Sequence, residues 1–203
     1  MALAEIVHTS NEIDQRVRTL AAELEASLQG ERPLLISVLK GSVIFLADLA
    51  RHLTIEPDID FISISSYQAD KGDRTGVVRI VKDLEEPLEG REVILVEDIL
   101  DTGLSLAYLL RSLETRNPSS IKVCTLVDKT VRRIVDLEAD YVGFETEDYL
   151  IGYGLDFKGR YRNLPFIAAV PDIAALASEP LSLEWLFRTG DNGAPGDATL
   201  RAR

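Results

Sequence analysis

Val93-Ile94-Leu95-Val96-Glu97-Asp98-Ile99-Leu100-Asp101-Thr102-Gly103-Leu104-Ser105 is the stretch that decides the fold. Four consecutive apolar residues, Val93 to Val96, suit a strand buried on both faces, and such strands belong to parallel sheets covered by helices. Carboxylates gather where that strand should stop, at Glu97, Asp98 and Asp101, in an acidic loop. Leu106, Leu109, Leu110 and Leu113 then recur at helical spacing. A glycine-containing turn that opens a helix presents unpaired N–H groups and the positive end of a dipole. The turn through Thr102, Gly103, Leu104 and Ser105 is therefore expected to hold a phosphate monoester, with the Thr102 and Ser105 hydroxyls as further donors. A plainer alternative makes Asp101 or Thr102 an N-cap and the acids a solvated loop. Three acids directly after a doubly buried strand weigh against it, because ligands of open parallel sheets bind beyond the carboxyl ends of the strands.

The order apolar-acid-acid-apolar-apolar-Asp-Thr-Gly from Val96 to Gly103 resembles the phosphoribosyl pyrophosphate motif of the type I phosphoribosyltransferases. The resemblance implies an α/β fold: a mainly parallel, twisted sheet flanked by helices, with a small hood built from the terminal segments. With 203 residues, 46% of them hydrophobic, the chain can bury one substantial core, and a second domain of comparable size is not expected. A single domain is expected over residues 1–190, its core at about 30–170 and its hood from about 1–12 and 145–190. Residues 191–203, rich in Gly, Ala, Asp and Arg, read as a disordered tail, with Trp185 and Leu186 pinning the chain before it.

A formal charge of -12 argues against a sequence-independent nucleic-acid binder and against an anionic-membrane binder, since either needs an excess of Lys and Arg. An acidic protein that binds a highly anionic substrate needs a divalent metal and locally placed cations, so Mg2+ is implied by charge balance as well as by the resemblance. Cys124 is the only cysteine and lies in the apolar run Ile121 to Val127, which suggests an inert buried thiol. No apolar run has the length of a membrane span and the first residues do not read as a leader, so a cytoplasmic protein is expected.

From the beginning of the chain, Thr9 and Glu12 have the spacing of a capping box, and Ile13, Val17, Leu20, Ala21 and Leu24 mark one face of a helix. Leu34 to Leu39 reads as a strand, and Leu46, Leu49, Ala50 and Leu53 as the packing face of the next helix. Between them Leu39-Lys40-Gly41 resembles the pyrophosphate loop of the family, which often has a cis peptide before the lysine. Ile59 to Ser65 and Val77 to Val81 suggest two strands joined by a long polar loop suited to a lid. Ser66-Tyr67 resembles the start of the flexible catalytic loop of the 6-oxopurine phosphoribosyltransferases. Ile121 to Val127 is a further strand; Val127-Asp128-Lys129 resembles the element whose lysine bonds the purine 6-oxo group. Arg132 and Arg133 read as exposed charges on a short helical turn. Asp140 to Phe144 is another strand, and Phe166 to Val170 is expected to close the sheet. By resemblance, Tyr149 stacks on the purine, the Leu150 backbone reads its edge, Asp156 lies near the metal and C2 side, and Arg162 approaches pyrophosphate. Thr146-Glu147-Asp148 departs from the Pro-Asp usual before the stacking residue.

These motifs span about Ile6 to Val170 and are most similar to the bacterial hypoxanthine(-guanine) phosphoribosyltransferases. The implied reaction joins a 6-oxopurine to phosphoribosyl pyrophosphate, giving the nucleoside 5′-monophosphate and pyrophosphate. In it Glu97 and Asp98 serve the ribose hydroxyls and the metal, Asp101 exchanges a proton at purine N7, and Asp101 to Ser105 hold the 5′-phosphate. Lys40, Gly41 and Arg162 face pyrophosphate; Lys129 selects the 6-oxo group; Asp156 joins Glu97 and Asp98 at the metal. A non-catalytic nucleotide-binding regulator on the same fold and a xanthine-preferring enzyme are the alternatives. A homodimer or homotetramer is expected from the family, with the helix bearing Phe45 as one contact surface.

Overall fold

The structure is a computed structural model and describes residues 3–28, 32–67, 77–179, 181 and 199–200. The chain divides into two compact units, Gln15–Glu147 and a smaller one made of Met1–Asp14 with Asp148–Arg203.

The larger unit is organised by the apolar runs. β2 (Leu34–Val38), β3 (Asp58–Tyr67), β5 (Glu92–Leu100), β6 (Ser120–Asp128) and β7 (Tyr141–Glu145) are parallel neighbours, and β4 (Val77–Lys82) adds an antiparallel edge. The order β4-β3-β2-β5-β6-β7 puts β2 and β5 at the centre. β2 is buried throughout and Val93 to Val96 are at most 1% exposed, as a strand with both faces covered requires. Alternation divides each strand between faces: Leu34, Ile36, Val38, Val93 and Leu95 share a core with Leu106, Leu109 and Leu113 of α3 (Leu104–Glu114). Each such leucine contributes about 1.5–3 kcal/mol by leaving water. On α2 (Val43–His52) the buried face is Phe45, Leu46 and Leu49, so Phe45 itself offers nothing to a partner.

In the smaller unit β10 (Thr199–Leu200), β1 (Ala4–His8), β9 (Ile167–Ala169) and β8 (Leu150–Ile151) form a four-stranded antiparallel sheet. Its core holds Leu3, Ala4, Ile151, Tyr161, Leu164, Phe166, Ala168 and Val170, with Leu176 from α4 (Ile173–Ser178). Two expectations are corrected here. Phe166 to Val170 does not close the parallel sheet; the run is apolar enough for a buried strand, but its pairing partners are β1 and β8. Within the span read as a disordered tail, Thr199–Leu200 pair with Glu5 and Ala4. Trp185, Leu186, 191–198 and 201–203 lie outside the described residues.

At the start of α1 (Ser10–Ser27) the capping box is formed: the Thr9 N–H donates to Glu12 Oε2 at 2.8 Å and the Glu12 N–H to Thr9 Oγ1 at 3.3 Å. Along it Val17, Leu20, Ala21 and Leu24 are buried at the expected spacing.

Candidate active site

Parallel strands end on one rim, and the sequence has put its chemistry at those ends. The β2 ladder with β5 stops at Ser37↔Val96, whereas β5 continues beside β6 through Leu100↔Asp128. Glu97 and Asp98 therefore lie inside β5, not in the loop expected after Val96; the β6 ladder keeps their backbone paired while β2 has already turned away. The space beside them is taken by the turn Leu39-Lys40-Gly41, whose Leu39–Lys40 peptide is cis. A Cβ on Gly41 would sit 1.4 Å from Asp98 Oδ2, so only glycine lets this turn close against that carboxylate. Lys40 itself is exposed.

Glu97 is 8% exposed. Its burial, and then the charge of Asp98, push its carboxyl well above the usual carboxylate range, against the lowering effect of the Asp98 N–H that donates to it. Asp98 Oδ1 accepts from the Ile99 N–H at 2.8 Å. After β5 the chain turns through Asp101, Thr102 and Gly103. Neither Asp101 nor Thr102 caps α3: the N-cap is Gly103, at φ 79, with no side-chain hydrogen bond to the helix. The left-handed backbone there is natural for glycine, and an added Cβ would meet Val135 Cγ2 at 2.6 Å. Asp101 Oδ1 is buried with no hydrogen-bond partner among the described residues, while Oδ2 lies 3.3 Å from the exposed Arg132 guanidinium. Lys129, 4% exposed, follows β6 directly, and its N–H donates to the Leu100 carbonyl at 3.0 Å. Lys40, Glu97, Asp98, Asp101 and Lys129 thus stand at the carboxyl ends of β2, β5 and β6.

The smaller unit carries the other predicted residues. Tyr149 meets Phe157 edge-on at 6.1 Å between ring centroids, and its hydroxyl donates to the Asp156 carbonyl at 3.1 Å. Burial, then the Asp156 charge, raise its phenol above the ordinary value. Leu150 is buried in β8. Asp156 and Arg162, assigned to different ligands, pair with each other: Arg162 Nη2 is 2.6 Å from Asp156 Oδ1, and Nη1 donates to the Gly154 carbonyl at 2.6 Å. The Gly159 N–H donates to Asp156 Oδ2 at 2.6 Å.

A phosphoribosyl transferase domain matches residues 4–158. The chain belongs to the phosphoribosyltransferase family. Among relatives of this phosphoribosyltransferase, the hypoxanthine-guanine phosphoribosyltransferase of Bacillus subtilis is 43% identical over 169 residues, 83% of this chain and 93% of that one. The hypoxanthine-guanine-xanthine phosphoribosyltransferase of Tritrichomonas foetus is 44% identical over 172 residues, 84% and 93% of the two chains. A crystal structure of a hypoxanthine-guanine phosphoribosyltransferase from Bacillus anthracis superposes with a TM-score of 0.77 at 43% identity, covering 84% of this chain and 99% of that one. Enzymes of the family work with a divalent metal. The donors here suit a cation that keeps most of its shell: Glu97 and Asp98 are adjacent, and no group of three or more His, Cys, Asp or Glu able to hold a metal occurs among the described residues. A hard cation at such a pair must complete its coordination with substrate oxygens and water.

Ser66 and Tyr67 end β3, opposite Val78 and Val77 of β4; the loop expected beyond them, 68–76, lies outside the described residues. Arg133 is a correction. Read as an exposed charge, its side chain is only 14% exposed and is engaged with the Asp128 carboxylate and with the carbonyls of Leu100, Asp101 and Leu137. The signal that would have found it is alternation. Val135, Leu137 and Ala139 follow at period two and turn inward, which puts Arg133 on their side and leaves Ile134 69% exposed.

Proposed function

We infer that the chain transfers the 5-phosphoribosyl group from phosphoribosyl pyrophosphate to N9 of hypoxanthine, and of guanine, yielding inosine or guanosine 5′-monophosphate and pyrophosphate in purine salvage in the cytoplasm. The carrying observation is the Asp101 carboxyl: one oxygen is buried with no hydrogen-bond partner among the described residues, in the turn that opens α3, directly after the Leu100 carbonyl held by the Lys129 N–H. A structural acid would have both oxygens engaged; one buried oxygen left open on a side chain that is still 36% exposed suits a proton acceptor that a base can reach.

The C1′–pyrophosphate bond breaks as the N9–C1′ bond forms, through a ring that is electron-poor at C1′. Asp101 takes the purine proton at N7. Glu97 and Asp98 hold the ribose 2′ and 3′ hydroxyls, and the negative charge of Asp98 favours the cationic ring. Thr102, Gly103, Leu104 and Ser105, with Asp101, bind the 5′-phosphate, and holding both reactants in line supplies much of the barrier reduction. Lys40, Gly41 and Arg162 serve pyrophosphate, with Ser66 and Tyr67 opening the loop that excludes water. Glu97 and Asp98 would hold Mg2+, which would supply charge to neutralise the departing pyrophosphate; Asp156, the third acid that the resemblance assigns to the metal, is engaged by Arg162 and the Gly159 N–H. Lys129 donates to the 6-oxo group; a 6-amino purine would meet it donor to donor, which excludes adenine. Tyr149 stacks on the base, the Leu150 backbone reads its edge, and Asp156 also lies on its C2 side. We propose that the smaller unit serves as the hood, and that the enzyme works as a homodimer or homotetramer.

The test is incubation of the purified chain with phosphoribosyl pyrophosphate, Mg2+ and labelled hypoxanthine, guanine, xanthine or adenine. Nucleotide is expected from the first two and none from adenine. Turnover highest on xanthine would move the assignment toward the activity named for the Tritrichomonas foetus relative, and no nucleotide with any base would overturn the reading.

A further inference from the structure

We propose that Arg133 is a positioning residue that gives the turn Asp101–Ser105 its anion-binding face, an inference that rests on the reading of this turn as the 5′-phosphate site. In a trans peptide the carbonyl of one residue and the N–H of the next point to opposite sides. The carbonyls of Leu100, Asp101 and Thr102 are all taken up by one segment, residues 129–134. The Lys129 N–H donates to Leu100 O at 3.0 Å, Arg133 Nε to Asp101 O at 3.0 Å, and the Ile134 N–H to Thr102 O at 3.0 Å. With the carbonyls turned toward this strap, the N–H groups of Asp101, Thr102 and Gly103 are turned away from it. Gly103 then starts α3 and adds the unpaired N–H groups of the first helical turn.

Of the three captures, only the central one depends on a side chain, and it acts on the residue that also carries the proton-accepting carboxyl. Arg133 is itself fixed: its fork is gripped by the Asp128 carboxylate and the Leu137 carbonyl, reaches Leu100 O at 3.5 Å, and its Cδ would lie 3.1 Å from a Cβ on Gly103. A planar guanidinium can serve carbonyl and carboxylate acceptors at once from one rigid frame; an ammonium on a flexible stem cannot. The same strap begins at Lys129, so a loosened Arg133 would disturb the phosphate turn more than the start of the strap, whose N–H bond to Leu100 O is independent of the arginine.

The decisive comparison is between two ligands that differ only in the phosphate, inosine 5′-monophosphate and inosine, titrated into the wild-type chain, Arg133→Lys and Asp128→Asn after each is checked for folding by circular dichroism and thermal melting. For Arg133→Lys, affinity for the monophosphate should fall about tenfold or more, the size of one lost charge-assisted hydrogen bond, with inosine affinity unchanged. KM for phosphoribosyl pyrophosphate should rise with that for hypoxanthine steady. Asp128→Asn keeps the shape but weakens the grip on Arg133, and should show the same phosphate-selective loss at smaller size. Equal losses for both ligands, or no loss for either in a folded variant, would overturn the proposal; should Arg133→Lys not fold, Asp128→Asn decides by the same criterion. A wild-type chain that makes no nucleotide would instead overturn the functional reading, and the phosphate-selective comparison would still judge the strap.

Discussion

The turns after β2 and after β5 follow one plan, strand to tight turn to helix, and are held from opposite directions. Leu39-Lys40-Gly41 is braced from inside: Ser42 Oγ donates to the Val38 carbonyl at 2.6 Å and lies 2.7 Å from Ser37 Oγ, with both serines fully buried. Asp101-Thr102-Gly103 is braced from outside, by a strap that follows β6. The difference matches what the proposed function asks of each turn. With Lys40 as the charged group of the first, nearby hydroxyls can brace its start at Val38. With the N–H groups of the second as the proposed phosphate site, any local acceptor would consume them, and its carbonyls are held by donors brought from elsewhere in the fold.

Substitutions at these turns separate the two modes. Asp101→Asn should give the largest effect, a fall in kcat of about 10² to 10⁴ with a much smaller change in KM for phosphoribosyl pyrophosphate, because it removes proton transfer and leaves the turn in place. Equal losses in both parameters would make Asp101 part of the scaffold. Gly41→Ala drives a methyl into Asp98 Oδ2, so the carboxylate or the turn must shift by about 1 Å, and kcat/KM for phosphoribosyl pyrophosphate should drop about 10²-fold in steady-state assays. Gly103→Ala forces a side chain into left-handed backbone at about 1–2 kcal/mol, besides crowding Val135; calorimetric titration with inosine 5′-monophosphate should register roughly tenfold weaker binding. Ser42→Ala is the mildest: it strands the Val38 carbonyl and the Ser37 hydroxyl, costing about 1–3 kcal/mol in chemical unfolding. Its activity change should fall on the pyrophosphate side, with KM for hypoxanthine as in wild type.

Reading the sequence found the helix with Leu106, Leu109 and Leu113 and the acids at the end of β5, because periodicity and strand burial are properties of a few adjacent residues. It missed where β5 ends. The strand outlasts β2 because its partner on the other side, β6, is also long, and Glu97 and Asp98 sit in the ladder for that reason. It separated Asp156 from Arg162 by function, whereas a local turn brings Asp156 Oδ1 to 2.6 Å from the Arg162 guanidinium and leaves Oδ2 to the Gly159 N–H. It also set Arg133 aside as solvated, since nothing within a few residues of it supplies the acceptors it uses at Leu100 and Asp101.

By itself the order of residues determined the strands and helices of the larger unit, the tight turns at Gly41 and Gly103, and the supply of acids, lysines and hydroxyls around them, but not β1, β8, β10 or α4. Each of these depends on steric and hydrophobic preferences that act over one turn or one strand. Only the tertiary structure decided that the carbonyls of residues 100 to 102 are held by a strap from beyond β6, that Phe166 to Val170 joins a second sheet with β1 and β8, and that one buried Asp101 oxygen has no partner among the described residues. Hydrogen-bond partners far apart in sequence are chosen by which backbone groups remain unpaired once the strands are laid side by side, and that is settled only when the whole sheet is assembled.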